Sequence, residues 1–321
     1  MTLGRGLDGE VDAPSDTDTD LGCDFDLDAF LRRESVLVEA ALERSLERWL
    51  GSFGPELAGP ARHAVSTGGK RLRPILCAAA YEAVGGKLSP AVYNLGVSLE
   101  LIHAYSLMHD DLPCMDDARL RRGKPTPHTM FGEGSTIRAG LALIPTASLQ
   151  ALYAAKALGC SDDDVRRIVG DLNRAAGAGG MVGGQALDLM AEGRSLGPDE
   201  LDELHRMKTG ALLTASLSIG GRAAGAPSEI IVALETFGRA IGLAFQIADD
   251  VLDATASAQD LGKTPSDVDL DKSTYVSVFG VEEARRRAQA LSEESRQVLR
   301  GANVRSPALD SLAAFVVERK K

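Results

Sequence analysis

Residues 89–117 read SPAVYNLGVSLELIHAYSLMHDDLPCMDD. Ser89-Pro90 is a helix start, with Ser suited to the N-cap and Pro to the first helical position. From there Val92, Leu95, Leu99, Ile102, Tyr105 and Leu107 spread apolar groups around most of the cylinder, the mark of a helix enclosed by others. The run ends in two acidic pairs, Asp110-Asp111 and Asp116-Asp117, with Pro113 between them.

An enclosed helix requires a shell, and the flanking sequence supplies one. Leu31, Val38, Leu42, Leu46 and Trp49 recur at helical spacing. Gly197-Pro198-Asp199-Glu200 opens another helix with acids in its first turn, where the helix dipole favours them. Gly159, the run Gly177–Gly180 and Gly220-Gly221 read as punctuation between helices. No alternating strand pattern and no internal repeat is present. Aromatic residues are only 4% while Ala, Leu and Gly abound, which suits closely packed helices better than sheets. The expected fold class is all-α.

Charge narrows the function. Residues 1–28 carry nine acids against one base, Arg5, so most of the net charge of −11 lies there. Residues 1–24 are expected to be a disordered acidic tail, with 25–321 as one all-α domain. No strongly basic surface is implied, which argues against a nucleic-acid partner. Cys23, Cys77, Cys114 and Cys160 form no CxxC pair, so neither zinc nor a disulfide framework is expected and a reducing, cytoplasmic setting is. No run of about 18 consecutive apolar residues suggests a membrane span.

A second acidic cluster, Asp249-Asp250-Val-Leu-Asp253, ends another apolar stretch. Asp249 and Asp253 are four apart and share a helix face, where their repulsion is relieved by a divalent cation; oxygen ligands favour Mg²⁺. Asp110 and Asp116 are six apart, and Pro113 is expected to interrupt the helix and swing Asp116 back. Either cluster alone reads equally well as a solvated helix end. Both together, each behind apolar helix, point to metal. Bases complete the set. Gly68-Gly69-Lys70-Arg71-Leu72-Arg73-Pro74 places three cations behind a Gly-Gly entry and is read as stopping at Pro. Arg119, Arg121 and Arg122 follow the first acidic cluster, and Lys208-Thr209-Gly210 and Gly262-Lys263 add two more sites. Phosphate groups are what such sites bind best.

The string IHAYSLMHDDLPCMDDARLRRGKPTPHTMFGE at 102–133 resembles the first aspartate-rich region of bacterial farnesyl diphosphate synthases, trans-polyprenyl diphosphate synthases of the polyprenyl synthetase family. GGKRLRP at 68–74, GGQALDL at 183–189, RMKTGALL at 206–213, FQIADDVLD at 245–253, LGK at 261–263 and KSTY at 272–275 resemble its other motifs in the same order. The resemblance covers about residue 25 to the C-terminus. It implies a helical bundle of the isoprenoid synthase type with a central active-site cavity, a homodimer, and head-to-tail condensation of isopentenyl diphosphate with an allylic diphosphate.

Roles follow from the same resemblance. Asp110, Asp116 and Asp249 hold three Mg²⁺ ions with the allylic diphosphate, supported by Asp111, Asp117, Asp250 and Asp253 as ligands or through water. Arg121, Lys208 and Lys263 grip the allylic diphosphate. Lys70, Arg73, His103 and Arg122 bind that of isopentenyl diphosphate. Thr209 and Gln246 line the reaction centre, while Gln185 and Asp188 orient metal-bound water and Lys208. Tyr105 occupies the place, five before the first Asp, where a bulky residue forms the floor of the prenyl cavity, with Ser106 beside it. A C15 product is therefore expected, with C20 as the alternative. His103, seven before Asp110, lies two turns down the same face and reads equally as a core histidine; His109 and His128 are weaker candidates. Two departures stand out: Leu141 lacks the acid of a Gly-Asp-Ala pattern, and Ala118-Arg119 replaces further acids after Asp117. A class I terpene cyclase would mix Asn, Ser or Thr with Glu where DDVLD stands. A head-to-head condensing enzyme would not need GGKRLRP, and a non-catalytic subunit of the same fold would be expected to lose one cluster.

Overall fold

The computed structural model describes residues 25–255 and 273–318. The acidic tail 1–24, Cys23, the LGK motif with Lys263, and Lys272 lie outside the described residues.

The described chain is helix after helix: α1 (Leu27–Leu50), α2 (Pro55–Ser66), α3 (Leu72–Ala83), α4 (Pro90–Asp110), α5 (Pro127–Phe131), α6 (Glu133–Ala157), α7 (Asp162–Ala176), α8 (Met181–Ala191), α9 (Pro198–His205), a π turn Arg206–Gly210, α10 (Ala211–Ala223), α11 (Ser228–Thr255), α12 (Tyr275–Phe279), α13 (Val281–Gly301) and α14 (Pro307–Glu318). The fold is all-α, as the sequence implies. Helix α4 is its axle, packed on α1, α2, α3, α6 and α10. Val92, Leu95, Val97, Leu99 and Ile102 are wholly buried on it, so its all-round apolar pattern matches an all-round shell. Each such side chain contributes about 1.5–3 kcal/mol over exposure. A second, smaller core joins α9, α11, α12 and α13 through Leu201, Ile247, Val251, Tyr275, Ala284 and Ala288.

Helix α11 is long and apolar enough, by length and composition, to cross a membrane, although it contains no long unbroken apolar run. It packs against α10 and α13, as a core helix does.

Four local features differ from the sequence reading. Ser89 stands at the N-cap of α4, but its hydroxyl makes no capping bond. Gly220-Gly221 is not a break: both lie inside α10, and a Cβ on Gly220 would fall 2.2 Å from the Cys77 carbonyl oxygen on α3. The pair is there for close approach of helices. Pro74 does not stop a helix; it stands in the first turn of α3, where its missing N–H has no partner to lose. A small hairpin, Leu120–Arg121 paired antiparallel with Lys124–Pro125, turns through Arg122 and Gly123, both at positive φ as primed hairpin turns require.

Arg71 is the largest departure. It is a buried strut, bound to Glu100 at 2.7 Å, to Glu39 at 2.7 Å and to the Val65 carbonyl at 2.8 Å. Its backbone is left-handed at φ 50, so these bonds fix the entry to α3 and, with it, the neighbouring Arg73.

Candidate active site

A cavity of about 350 Å³ lies where α4, α8 and the π turn meet, lined among others by Arg73, His103, Tyr105, Ser106, Asp110 and Lys208. Its chemistry is split along α4. His103 and Asp110 are seven residues apart, about 10 Å along the axis.

One end is cationic. Arg73 Nε is buried without a partner, and burial, with Arg122 nearby, lowers its guanidinium to about 10. His103 is held well below the ordinary imidazole range by burial and then by the charges of Arg73 and Arg122, so it is neutral at pH 7. Arg122, at the hairpin tip, donates to the Gly68 carbonyl. Gly69 in the entry loop has φ 140, a backbone conformation that favours glycine, and lies against that guanidinium. Lys70, from the same loop, stands 5.8 Å from the Phe315 ring on α14.

The other end is acidic. Helix α4 stops at Asp110; after Pro113 the chain folds back, and the Asp116 N–H donates to the Asp110 carbonyl at 2.9 Å. Burial lifts the Asp110 carboxyl to about 6, with Lys208 opposing and Asp116 adding to the rise. Asp111 is also raised by burial, against the pull of Arg121, whose Nη2 lies 2.6 Å and Nε 2.8 Å from Asp111 Oδ1. Asp117 is exposed, at φ 46.

Lys208 joins the two acidic regions. Its ammonium is 2.5 Å from Asp188 on α8, its charge acts on Asp110, and it lines a cleft with Gln246 and Asp250 of α11. Thr209 follows it into the main cavity. Asp249 and Asp253 are carried on the last turns of the uninterrupted helix α11. Asp250 is turned to α12, accepting the Tyr275 N–H at 2.7 Å. Gln185 lines the main cavity, and both its amide atoms are buried without partners.

The π turn is clamped from both sides. A Cβ on Gly184 would sit 2.2 Å from the Lys208 nitrogen, and one on Gly242 2.9 Å from the Gly210 Cα. Only hydrogen at both places lets α8 and α11 approach the backbone that carries Lys208.

Sequence reasoning missed Met115, Met181, Val182 and Leu189, which line the cavity, because an apolar wall residue looks like any core residue. It also missed His205, whose buried ring is pushed down to about 4 by burial; its place three residues before Lys208 was the available signal. Of the weaker histidines, His109 lines the cavity and His128 bonds Thr126 outside it. Leu141, on α6, is exposed and not part of the cavity.

The donors suit a divalent cation. They are carboxylate oxygens at the ends of α4 and α11, and Asp110 is already destabilised as an anion by its setting. Among the described residues no three carboxylate, imidazole or thiol groups converge closely enough to hold an ion alone. Mg²⁺ does not need such a cage, since it commonly takes one or two carboxylates plus water and substrate phosphate.

Comparison with known proteins places the chain. The polyprenyl synthetase family model matches residues 54–303. The chain is 41% identical over 297 residues to a dimethylallyltranstransferase of Fischerella ambigua (strain UTEX 1903), covering 92% of this chain and 84% of that one. It is 41% identical over 277 residues to a chloroplastic geranylgeranyl pyrophosphate synthase of Catharanthus roseus (86% and 76%) and 42% identical over 259 residues to the farnesyl diphosphate synthase of Escherichia coli K12 (79% and 86%). The crystal structure of an FPP/GFPP synthase from Zymomonas mobilis superposes with a TM-score of 0.78 at 34% identity, covering 91% of this chain and 98% of that one. The chain belongs to the polyprenyl synthetase family.

The clamp on the π turn is testable without substrate. Gly184→Ala forces backbone against backbone, so it is expected to lower stability by about 1–3 kcal/mol in urea denaturation, the usual cost of overpacking. An unchanged midpoint would mean that the π turn yields freely.

Proposed function

We propose that this polyprenyl synthetase condenses isopentenyl diphosphate head to tail with dimethylallyl and geranyl diphosphates, releasing diphosphate and forming farnesyl diphosphate. The observation that carries the reading is one cavity with a cationic end, where Arg73 Nε is buried without a hydrogen-bond partner beside His103, and an acidic end at Asp110, joined by an apolar wall.

In this reading Arg73, Arg122 and neutral His103 take the diphosphate of isopentenyl diphosphate, His103 as an N–H donor. Lys208, with Arg121, meets the allylic diphosphate. Asp110, Asp116 and Asp249, with Asp111 and Asp253 nearby, would hold Mg²⁺, which when bound would supply positive charge against the departing diphosphate. Lys208 adds a fixed positive charge on the same side, and its partner Asp188 keeps it in place. Thr209 and Gln246 offer oxygen atoms to the carbon that becomes positive. The apolar wall excludes water, which would otherwise quench it. No side chain stands out as a base, so the proton lost at the end goes to the diphosphate.

Relatives with similar identity are named for C15 and C20 products, so length must come from this chain's own cavity. Tyr105 supports C15. It is 5% exposed, and its ring meets His109 edge-on at 5.6 Å. His109 in turn lies against α6, its Nε2 3.2 Å from the Ile137 carbonyl oxygen. A ring braced in this way makes a firm floor.

The homodimer that the family suggests has a surface to form on: Ile137, Leu141, Leu149 and Tyr153 stand exposed at four- and eight-residue spacings along α6. Leu at 141, in place of an acid, extends that stripe.

Incubation with isopentenyl and dimethylallyl diphosphates is expected to release diphosphate only when both are present. Release from the allylic diphosphate alone would instead indicate a cyclase or lyase. A chelator should abolish turnover. Because Asp110 is uncharged below about 6, the apparent Mg²⁺ requirement should rise as pH falls through that value.

Tyr105→Ala is expected to shift products beyond C15, read by chromatography of the dephosphorylated alcohols; an unchanged distribution would remove the floor. Sedimentation equilibrium is expected to give twice the chain mass, and Leu141→Asp to lower it towards that of one chain. Wild-type protein sedimenting as a single chain would remove the dimer.

A further inference from the structure

His205 has no part in the reaction as derived so far, yet it is the most completely enclosed histidine beside the site. It is the last residue of α9, directly before the π turn that carries Lys208 and Thr209. Only 7% of it is exposed. Its ring stacks on Tyr275 of α12, centroids 5.6 Å apart and planes at 23°. Tyr275 is itself wholly buried. This stack holds the imidazole in one plane, and its two nitrogens face different groups of α11.

Nε2 lies 3.9 Å from Asp250 Oδ2 and has no hydrogen-bond partner. That oxygen already accepts the Tyr275 N–H at 2.7 Å, which fixes the carboxyl group as an acceptor. Nδ1 lies 3.5 Å from Gln246 Nε2. A neutral imidazole has one donor and one acceptor, and which is which is set by the partner of the other nitrogen. Facing a carboxylate, Nε2 takes the proton. Nδ1 is then an acceptor and draws the NH₂ of Gln246. The amide carbonyl oxygen is left for the cleft that Gln246 lines with Lys208.

We propose that His205 is a positioning residue for Gln246. The relay Tyr275 N–H to Asp250, Asp250 to His205, His205 to Gln246 fixes the amide with Oε1 towards the reaction centre. An acceptor there stabilises the allylic cation; the opposite flip would present N–H groups and repel it. Asp250 in this scheme serves the relay, while its neighbour Asp249 serves the metal. At 3.9 and 3.5 Å these contacts orient the ring and the amide, and the proposal has them shorten in the Michaelis complex, as catalytic hydrogen bonds do. The proposal rests on the prenyl-transfer reading above.

The test separates the two nitrogens. His205→Phe keeps the stack on Tyr275 and loses both. His205→Asn places its amide oxygen near the position of Nδ1, and His205→Gln extends its amide to the position of Nε2. Steady-state kinetics with geranyl and isopentenyl diphosphates is the readout, with thermal unfolding to confirm the fold. His205→Phe is expected to lower kcat about tenfold to a hundredfold, the range for a misplaced group, with KM for isopentenyl diphosphate little changed. His205→Asn should recover much of that loss, and His205→Gln should not. In a Gln246→Ala background, His205→Phe should cost little more, because the group it positions is already gone.

Equal losses for Asn and Gln, or a full additional loss in the Gln246→Ala background, would overturn the proposal and leave a packing role. If His205→Phe fails to fold, the Asn and Gln pair decides alone. Failure of the wild-type protein to turn over both substrates would strike the prenyl-transfer reading, whereas normal turnover with an indifferent His205 strikes only this one.

Discussion

The structure is organised around carboxylates placed where helices least tolerate them. Asp110 and Asp111 end α4, and Asp249, Asp250 and Asp253 end α11, both at the negative pole of the helix dipole. Both helices are buried along much of their length, so the dielectric that would soften this cost in water is thin there. The rise of Asp110 to about 6 is its direct expression. Nearby cations offset part of that cost. The protein provides two of its own, Arg121 on Asp111 and Lys208 on Asp188, and in the proposed reading divalent metal gathered with an anionic substrate would supply the rest.

Much of the surrounding architecture serves to hold those cations still. Lys208 rides on a π turn, an element that survives mostly where function needs an irregular backbone. Gly184 and Gly242 let α8 and α11 close on that turn, and Asp188, one turn beyond Gly184 on α8, then reaches the ammonium. At the other end Arg71 performs the same service by a different route. Its buried pair with Glu100 anchors the start of α3, so that Arg73 two residues later can stay buried with its Nε unpaired.

These parts were legible in the sequence to different degrees, for physical reasons. The all-round apolar pattern of α4 determines its burial, and two acidic clusters after apolar runs mark the site whatever their exact geometry. Pro113 correctly signalled the fold-back of Asp116. What failed were readings in which one residue type has two uses. Gly220-Gly221 could break a helix or let two helices touch, and local sequence does not distinguish them. Three cations in GGKRLRP could all bind phosphate, but Arg71 meets Glu39 and Glu100 from distant segments and becomes a strut. His205 gave only its place three residues before Lys208 as a signal, because its partners, Gln246, Asp250 and Tyr275, are 41 or more residues away.

The two ends of the cavity also explain why the fold's alternatives fit less well. A cyclase has a single substrate and needs one anionic group held at one metal site; a second pocket where cations outnumber the one acid that acts on Arg73, Glu100, would be an unrewarded electrostatic cost. Here burial lowers Arg73 to about 10 and its Nε lacks a partner, while His103 beside it is kept neutral by burial and then by the nearby positive charge. Proteins seldom leave buried charge uncompensated unless a ligand completes it. In the proposed reading two anionic heads would lie about two helical turns apart on one wall, the nucleophile held by its head at the cationic end and the electrophile by its head at the acidic end. Their hydrocarbon parts must then meet in the apolar space between and below. On that reading head-to-tail joining is the geometry the polarised cavity favours, and the proposed floor, where the Tyr105 ring meets His109, would limit the product.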